Sequence, residues 1–247
     1  MTLSVLLPVH DKPEAVIKAV ADAIDLQGAD QTVVVLDRTP PGNIGLMFDG
    51  RHAVIRLDGP PGWRSPCISF NAGLAKVTGD ITVITHSDIV HAPGNLARVR
   101  EWMEARPAAY FAKVLESDPA ACTGPGHAGP VLCASDNARA LTFCLAVPTA
   151  ALRAIGGWDE AFQDGVCFED DDLTARLWKH GLDFVFDDAF HATHISHTRK
   201  YFTDFRIAPN MAHMLRKHGT LTLYAREAGK GRLIVDRQPG RTEWRHH

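Results

Sequence analysis

The densest cluster of ionisable residues in the sequence is the run Glu169-Asp170-Asp171-Asp172, which stands at the start of a helix-compatible segment. Carboxylates in the first turn of a helix are stabilised by the helix dipole by roughly 0.3–1 kcal/mol each, so a solvent-facing helix start is one interpretation. Four adjacent like charges, however, exceed what a helix start requires. A carboxylate whose pKa is raised by neighbouring carboxylates suits a general base that acts on a hydroxyl group, so the run is a candidate catalytic segment.

A tight turn and an aromatic ring, Gly156-Gly157-Trp158, precede the acidic run by a few residues. Glycines allow the sharp bend, and the flat face of an indole is a good contact surface for a sugar or another ring. We therefore expect Trp158 to lie at a site that binds a sugar or another ring.

Three histidines, His191, His194 and His197, recur at a spacing of three. Taken alone, they are compatible with an exposed loop or strand. Combined with a distant aspartate, they would instead form a mixed imidazole and carboxylate site, which suits Mn²⁺ or another divalent ion. Asp88 is the natural partner because it follows an apolar run, although by itself it is equally compatible with a cap ahead of Pro93.

Short apolar runs alternate with helix-compatible segments over the first ninety residues. The runs are residues 4–9, 32–36, 53–57 and 81–85. Such runs are typical of parallel strands that are buried on both faces, and helices are predicted after Asp11, from Ser65 to Gly79 and from Pro93 onwards. The alternation predicts an α/β fold with a mainly parallel, doubly wound sheet. Ligands of such sheets bind at the carboxyl ends of the strands, where Asp37 and Asp88 lie.

Residues 117–130 interrupt this alternation, because three glycines and three prolines in fourteen positions allow no regular element. This segment is predicted to be a loop that acts as a lid. Beyond it, the predicted strands are residues 141–147 and 184–186, and the predicted helices are residues 169–180 and 203–218.

Length and composition exclude several classes of protein. The chain has 247 residues, of which 45% are hydrophobic and 22% charged, as in an ordinary globular protein. No apolar run approaches the roughly 20 residues of a membrane span, and no basic leader with a cleavage site is present, so we expect a cytoplasmic protein. The five cysteines include no Cys-x-x-Cys pair, which argues against a zinc knuckle or a disulfide framework and favours free thiols.

Several enzyme classes lack their motifs in this sequence. No Gly-x-Gly-x-x-Gly follows the first strand, and no phosphate loop ending in Gly-Lys-Ser/Thr is present, which disfavours dinucleotide dehydrogenases and P-loop enzymes. No Gly-x-Ser-x-Gly elbow follows a strand, which disfavours an α/β hydrolase.

The order and spacing of these pieces resemble the nucleotide-sugar-dependent glycosyltransferases of the GT-A fold, of the family 2 type, with similarity to the C-terminal half of the β-1,4-galactosyltransferases. The segments that carry the resemblance are residues 4–12, 33–37, 71–80, 156–162, 169–176 and 194–199. The resemblance implies a GT-A (Rossmann-like), mainly parallel sheet flanked by helices, in a single domain with a basic C-terminal extension.

The resemblance also implies an inverting, metal-dependent transfer of a sugar from a nucleotide sugar, a UDP-sugar by expectation, to an acceptor hydroxyl. Asp170 would deprotonate this hydroxyl and Glu169 would orient the acceptor. Trp158 and Asp171 would lie on the acceptor side. A divalent metal, Mn²⁺ with Mg²⁺ as the alternative, would be held by Asp88 and His197 together with His194. The residues assigned to donor binding are Pro8, His10, Asp37, Arg64, Asn71, His86 and Ser87.

One motif departs from the family pattern. The family carries Asp-x-Asp at its metal site, whereas this chain has His86-Ser87-Asp88. If Asp88 is the second aspartate, His86 replaces the residue that contacts the ribose. If Asp88 is the first, Val90 occupies the second position. The position of Pro93 suits the first register in family 2 and the second in galactosyltransferases, and we favour the first.

The resemblance divides the chain into four parts. Residues 1–116 form a donor-binding half, 117–130 a flexible loop, 131–200 an acceptor and catalytic half, and 201–247 a basic helical extension.

Charge is distributed unevenly, because residues 198–247 carry a net charge of +7 and residues 1–197 one of -10. The basic segment either packs on the acidic body or steers a polyanionic acceptor such as DNA, RNA or a phosphorylated glycan. Two other functions stay open at this point. One is a nucleotidyltransferase of similar fold, for which Lys12 is the single basic residue in the first loop, and the other is a non-catalytic module that binds anions or nucleic acid.

Overall fold

The computed structural model describes residues 1–10, 12–38, 52–59, 65–121, 129–197, 203–221 and 223–247. Its strands are β1 (Leu3–Val9), β2 (Gln31–Asp37), β3 (Ala53–Leu57), β4 (Ile81–Thr85), β5 (Ile89–His91), β6 (Ala109–Glu116), β7 (Val131–Cys133), β8 (Cys144–Pro148), β9 (Phe184–His194), β10 (Leu233–Gln238) and β11 (Arg241–His246). Its α-helices are α1 (Glu14–Asp25), α2 (Cys67–Leu74), α3 (Asn95–Ala105), α4 (Thr149–Ala154), α5 (Glu169–Lys179), α6 (Asp204–His218) and α7 (Leu223–Gly229), and a 3₁₀ turn spans Glu160–Phe162.

The strands form one sheet in the order β10-β11-β9-β6-β8-β4-β1-β2-β3, with β5 paired to β9 and β7 to β6. Strands β3, β2, β1 and β4 are parallel to one another, and so are β6 and β9. Strand β8 is antiparallel to β4 and β6, and β11 is antiparallel to β9 and β10. The predicted α/β fold, with its parallel N-terminal strands, is confirmed, and the antiparallel strands lie in the second half of the chain.

Burial on both faces explains why the sequence of β1 is a continuous apolar run. Val5 and Leu7 belong to the cluster that contains Ile17 of α1, whereas Leu6 belongs to the cluster that contains Phe70 of α2. These three side chains of β1 are all 0% exposed. Helices therefore cover the sheet on both sides, and both alternating sets of side chains are buried.

Several element boundaries differ from the sequence predictions. Helix α1 begins at Glu14 rather than after Asp11, which lies outside the described residues, and α3 begins at Asn95 rather than at Pro93. Strand β8 begins at Cys144, three residues later than predicted, because the residues before it form a turn. Phe143 in this turn lines a cavity instead of joining the sheet.

Strand β9 is much longer than the predicted strand at residues 184–186, because both of its ends have partners. Its first residues pair with β6 and β11, and its last residues pair with β6 and β5. The register along β6 shifts between Ala112, opposite Asp187, and Lys113, opposite His191. Three extra residues of β9 therefore bulge out of the ladder, after which Glu116 lies opposite His194.

The C-terminal extension contains strands as well as helices. Helix α6 lies within the predicted helix at residues 203–218, but β10 and β11 were not predicted. Strand β11 extends the main sheet by pairing with β9. Residues 122–128 of the predicted lid lie outside the described residues, and the four-part division of the chain stays a prediction.

The basic side chains of the extension form ion pairs with the acidic body. Lys217 Nζ lies 2.6 Å from Asp159 Oδ2 and 2.8 Å from Asp172 Oδ1, and Arg241 Nη1 lies 2.6 Å from Asp187 Oδ2. These contacts favour the interpretation in which the extension packs on its own domain.

Two smaller expectations concern membranes and cysteines. None of the helices in the part of the chain that the structure describes has the length and apolar character needed to cross a bilayer. The described cysteines, Cys67, Cys133, Cys144 and Cys167, are free thiols, as predicted, and Cys122 lies outside the described residues.

Candidate active site

A cavity of about 340 Å³ opens beside the carboxyl ends of β1 and β4. This is the edge of the sheet at which ligands of parallel α/β proteins bind. The structure brings most of the residues predicted from the sequence to its wall. These residues are Pro8, His10, His86, Ser87, Asp88, Glu169, Asp170, Asp171, His194 and His197.

Asp88 and two of the three histidines form a cluster that suits a metal ion. One ligand atom from each of Asp88, His194 and His197 lies within 4.8 Å of the others. Asp88 Oδ2 is 3.1 Å from His197 Nε2 and 3.5 Å from His194 Nε2. Burial by itself would raise the pKa of Asp88, but hydrogen bonds from both histidines and the nearby Lys12 ammonium hold it well below its ordinary range. Asp88 is therefore an ionised carboxylate that faces two imidazoles.

Glu116 orients one of these histidines, and sequence reasoning missed it. His194 Nδ1 lies 2.7 Å from Glu116 Oε2, which also accepts a hydrogen bond from Ser196 Oγ at 2.7 Å. With Nδ1 directed at Glu116, His194 presents Nε2 towards Asp88. A carboxylate that holds the far nitrogen of a ligating histidine is a common feature of metal sites.

The donor set therefore fits a divalent cation. One carboxylate oxygen and two imidazole nitrogens suit Mn²⁺ and similar ions. The Lys12 ammonium lies beside the two imidazoles of this cluster. Its Nζ is 2.5 Å from Asp88 Oδ2 and 2.8 Å from His197 Nε2.

The four acids of α5 separate into two groups. Glu169, Asp170 and Asp171 line the cavity. Asp172 is 0% exposed and lies away from it, 2.7 Å from Arg176 Nη2 and 2.8 Å from His218 Nε2. Three of the acids therefore line the cavity wall, and the fourth, Asp172, connects α5 to α6.

An uncommon backbone conformation precedes these acids. Cys167 and Phe168 have φ values of 67° and 70°, in the left-handed region that non-glycine residues seldom adopt. Both residues line the cavity, so the chain turns sharply at the wall before it enters α5.

Asp170 and Glu169 are adjacent, half-buried carboxyl groups that affect each other's ionisation. Burial raises the pKa of Asp170, while His86 and a hydrogen bond donated by Thr142 Oγ1 act in the opposite direction. Burial, and then repulsion by Asp170, raise the pKa of Glu169 to about 8. Because two adjacent carboxylates repel each other, Glu169 keeps a proton at neutral pH while Asp170 is free to ionise.

His86 lies between the acidic pair and the histidine cluster. Its ring centroid is 5.5 Å from that of Phe70 and 6.0 Å from that of Phe143. Burial lowers its pKa, although Asp170 and Asp88 oppose this effect, so the imidazole is neutral. Its Nε2 is buried and has no hydrogen-bond partner within the described ranges, which leaves it available to a ligand. His86 lines the cavity, whereas Val90 lies in β5 and pairs with Thr193 of β9. This arrangement favours the register with Asp88 as the second aspartate.

Asp37 lies near the cavity without lining it. Its buried carboxylate accepts a hydrogen bond from Ser69 Oγ at 2.8 Å and lies 3.2 Å from Arg38 Nε. Its backbone oxygen accepts a hydrogen bond from His10 Nδ1 at 2.9 Å, and His10 does line the cavity. Arg64 lies outside the described residues.

Asn71 and Trp158 contact each other and hold a turn. Asn71 Oδ1 accepts a hydrogen bond from Trp158 N at 2.8 Å, and Asn71 Nδ2 donates to Trp158 O at 2.9 Å. The Trp158 ring is 3% exposed and stacks on Phe70 at a centroid distance of 4.4 Å. Neither side chain is among the residues that line the cavity, and their predicted donor and acceptor contacts stay predictions.

Other residues of the site were missed by the sequence predictions. Lys12, Arg139, Leu141 and Phe143 line the cavity, and Thr142 contacts Asp170. The position of Lys12 just after the end of β1 was a usable signal, because it is the ligand-binding edge. The segment 139–143 gave no such signal, since its apolar residues resemble part of a strand.

Comparisons with known proteins give a family and a fold. Residues 4–120 match the family model described as Glycosyl transferase family 2. No curated protein sequence matches the chain. The similarity to β-1,4-galactosyltransferases therefore stays a prediction.

Solved structures of S. aureus TarS resemble most of the fold. The crystal structure of TarS 1–349 gives a TM-score of 0.56 at 16% identity, over 78% of this chain and 58% of that chain. Its complex with UDP-GlcNAc gives 0.57 at 13% identity, over 81% and 59%, and its complex with UDP gives 0.56 at 16% identity, over 78% and 57%. The chain thus spans less than two thirds of these structures, and at such identities the likeness shows the GT-A fold. The chain as a whole therefore has the GT-A fold, and within it residues 4–120 match the model of the family 2 glycosyltransferases.

Proposed function

We propose that this protein transfers a sugar from a UDP-sugar to an acceptor hydroxyl group, with inversion at the anomeric carbon and with the aid of a divalent cation, preferably Mn²⁺. One observation carries the proposal. A single cavity is lined both by the cluster of Asp88, His194 and His197 and by the carboxyl pair of Asp170 and Glu169. The nucleotides UDP and UDP-GlcNAc named in the TarS complexes support a UDP-sugar as donor.

At the acceptor side, Asp170 takes the proton of the attacking hydroxyl. The oxygen of that hydroxyl bonds to the anomeric carbon as the bond from this carbon to the diphosphate breaks, and a single displacement of this kind inverts the configuration. Thr142 holds the Asp170 carboxyl group by its hydrogen bond. The protonated Glu169 is a hydrogen-bond donor for the acceptor, and Asp171 lies on the same wall.

At the donor side, Asp88, His194 and His197 would hold the cation, and Glu116 would keep His194 oriented. When bound, the cation neutralises the negative charge that develops on the departing diphosphate. The neutral His86 offers its free Nε2 to the donor, in the position where the family has an acid. Pro8, His10 and Ser87 complete this wall.

The acceptor is not proposed to be a polyanion. Lys217 and Arg241 of the basic extension are paired with carboxylates of the body. The acidic residues Asp170 and Asp171 line the acceptor side of the cavity, and their carboxylates would repel a polyanionic chain.

Thermal unfolding with UDP, with Mn²⁺ and with both tests the donor site. A ligand at 100 times its Kd adds about 2.7 kcal/mol of stability, which is a shift of roughly 5–10 °C for a chain of this size. We expect the large shift only with both ligands, and its loss in Asp88→Asn. An equal shift with UDP alone in the wild type and in Asp88→Asn would refute the metal-dependent donor site.

Hydrolysis or transfer of a panel of UDP-sugars tests the base. Asp170→Asn should keep the thermal shift with UDP and Mn²⁺ while turnover falls by roughly 10²–10⁴-fold. Retained turnover in Asp170→Asn would exclude Asp170 as the base. Loss of both the shift and the turnover would show instead that Asp170 is needed to build the donor site.

A further inference from the structure

Lys12 contacts two members of the cluster formed by Asp88, His194 and His197. Its Nζ lies 2.5 Å from Asp88 Oδ2 and 2.8 Å from His197 Nε2, and its side chain is only 21% exposed. Lys12 and His197 are separated by 185 positions in the chain, so the fold and not local sequence brings them together. The ammonium group therefore lies among the atoms that would hold a cation.

The hydrogen bonds that the distances around Asp88 Oδ2 suggest are unable to form all at once. Three nitrogen atoms, from Lys12, His194 and His197, surround the single oxygen Oδ2 of Asp88. A ring nitrogen carries either a proton or a lone pair, so His197 Nε2 is unable to donate to Asp88 and accept from Lys12 at the same time. A divalent ion in place of the ammonium removes this conflict, because the carboxylate oxygen and both imidazole lone pairs are then all electron-pair donors to the ion.

A metal ion and the Lys12 ammonium exclude each other. They need the same lone pairs of Asp88 and His197, and their positive charges repel. When Lys12 leaves the cluster it needs another anionic partner, and the diphosphate of a nucleotide bound in the same cavity supplies one. Lys12, Asp88, His194 and His197 all line that cavity.

We propose that Lys12 is a resident cation that fills the metal position of the free protein, so that the divalent ion binds tightly only together with a nucleoside diphosphate. This inference rests on the proposed donor site. It makes metal and nucleotide positively coupled ligands, and by linkage each raises the affinity of the other by the same factor. Lys12 is then a positioning residue that sets the order in which the site is filled.

Electron paramagnetic resonance of free Mn²⁺ tests the proposal without any measurement of turnover. The wild type, Lys12→Met and the control Lys18→Met are titrated with Mn²⁺ in the absence and in the presence of UDP. Mn²⁺ held by UDP alone is measured without protein and subtracted. Lys18→Met removes the same charge from an exposed ion pair on α1, and so reports the effect of net charge alone.

For the wild type, UDP should tighten Mn²⁺ binding by at least tenfold. Without UDP, Lys12→Met should bind Mn²⁺ at least tenfold more tightly than the wild type and Lys18→Met do, and the effect of UDP should shrink accordingly. If the wild type binds Mn²⁺ equally well with and without UDP, the proposal is wrong, and this result needs no folded variant.

Asp88→Asn separates this proposal from the proposed function. If Asp88→Asn loses Mn²⁺ binding in the presence of UDP while Lys12→Met behaves like the wild type, the metal site stands and the role of Lys12 is refuted. If neither the wild type nor Lys12→Met binds Mn²⁺ with UDP present, the metal site and the role of Lys12 both fall.

Discussion

Glu116 Oε2 lies 2.7 Å from His194 Nδ1, and Asp88 Oδ2 lies 3.5 Å from Nε2 of the same ring. The imidazole is therefore held between two buried carboxyl groups. One of them fixes the ring, and the other shares the proposed metal position.

Glu116→Gln should weaken Mn²⁺ binding in the presence of UDP by roughly 10–100-fold, because the amide is a poorer partner for the ring N–H. The measurement is the Mn²⁺ titration with UDP. Ser196→Ala is the matched control, because it removes the other hydrogen bond to Glu116 Oε2 and leaves the histidine contact in place. Equal losses in both variants would mean that Glu116 acts only through general packing.

Thr142→Val should move the acidic limb of the pH profile of kcat/KM to higher pH. Burial raises the pKa of Asp170, and the hydrogen bond from Thr142 is one of the interactions that oppose this rise. Because Asp170 acts as a base only when ionised, activity falls as pH drops through its pKa, and that pKa rises further without the hydroxyl. Thr142→Ser keeps the donor and should retain the wild-type profile. An unchanged profile in Thr142→Val would mean that the acidic limb does not report the ionisation of Asp170.

Glu169→Gln should change how stability depends on pH. The pKa of Glu169 is about 8 in the folded protein against a reference value of 4.5, so between these values the folded state holds more protons than the unfolded state. The free energy of unfolding therefore falls as pH rises from about 4.5 to 8, and the glutamine variant lacks this contribution. Chemical denaturation across that range should show that the wild type loses more stability than Glu169→Gln does. Parallel curves would show that Glu169 ionises normally.

Asp172→Asn should destabilise the fold by roughly 3–5 kcal/mol, because it removes a buried carboxylate that pairs with the partly buried Arg176 and joins it to α6. Asp172 is 0% exposed and contacts Arg176, Lys217 and His218. The control is Asp22→Asn, which breaks an exposed pair with Lys18 and should change stability little. Urea unfolding compares the two variants. A small effect of Asp172→Asn would mean that α6 is not held to α5 through this carboxylate.

A duplex oligonucleotide should bind this protein weakly even at low salt, because cations of the basic extension are already paired with carboxylates. Fluorescence anisotropy at about 50 mM and at about 200 mM salt measures this. Tight binding that weakens steeply between these two salt concentrations would instead support the hypothesis that the acceptor is a polyanion.

The N-terminal half of the fold was predictable because its strands are buried on both faces. Apolar runs such as residues 32–36 are sufficient to define strands of that kind, and their carboxyl ends define the edge where Asp88 lies. Strands β10 and β11 were missed because most of their residues are half-buried or exposed, which leaves no apolar run. Strand β6 has a nearly continuous buried pattern, but it was not among the predicted strands. Glu116, its last residue, was therefore not assigned to the site.

The site was predictable where residue type and spacing carry the chemistry. Two of the histidines at a spacing of three and three of the acids at the start of α5 reach the cavity. Sequence reasoning does not distinguish a side chain with a packing role from one with a binding role. Trp158 offers an aromatic face, but the structure uses that face to cover Phe70. The contact between Lys12 and Asp88 depends on the tertiary fold, and neither residue predicts the other.

The wide separation of Lys12 and His197 along the chain has a consequence for how the site is assembled. Residues 4–120, which match the family model, contain Lys12 and Asp88 but neither His194 nor His197. A cut within residues 122–128 would place the ammonium and the carboxylate on one fragment and the two imidazoles on the other. Neither fragment alone would bind Mn²⁺ with three ligands, so recovery of metal binding on mixing would report complementation of the two fragments. Metal binding at the proposed site would therefore report complete folding, because the site forms only after residues far apart in the sequence have come into contact.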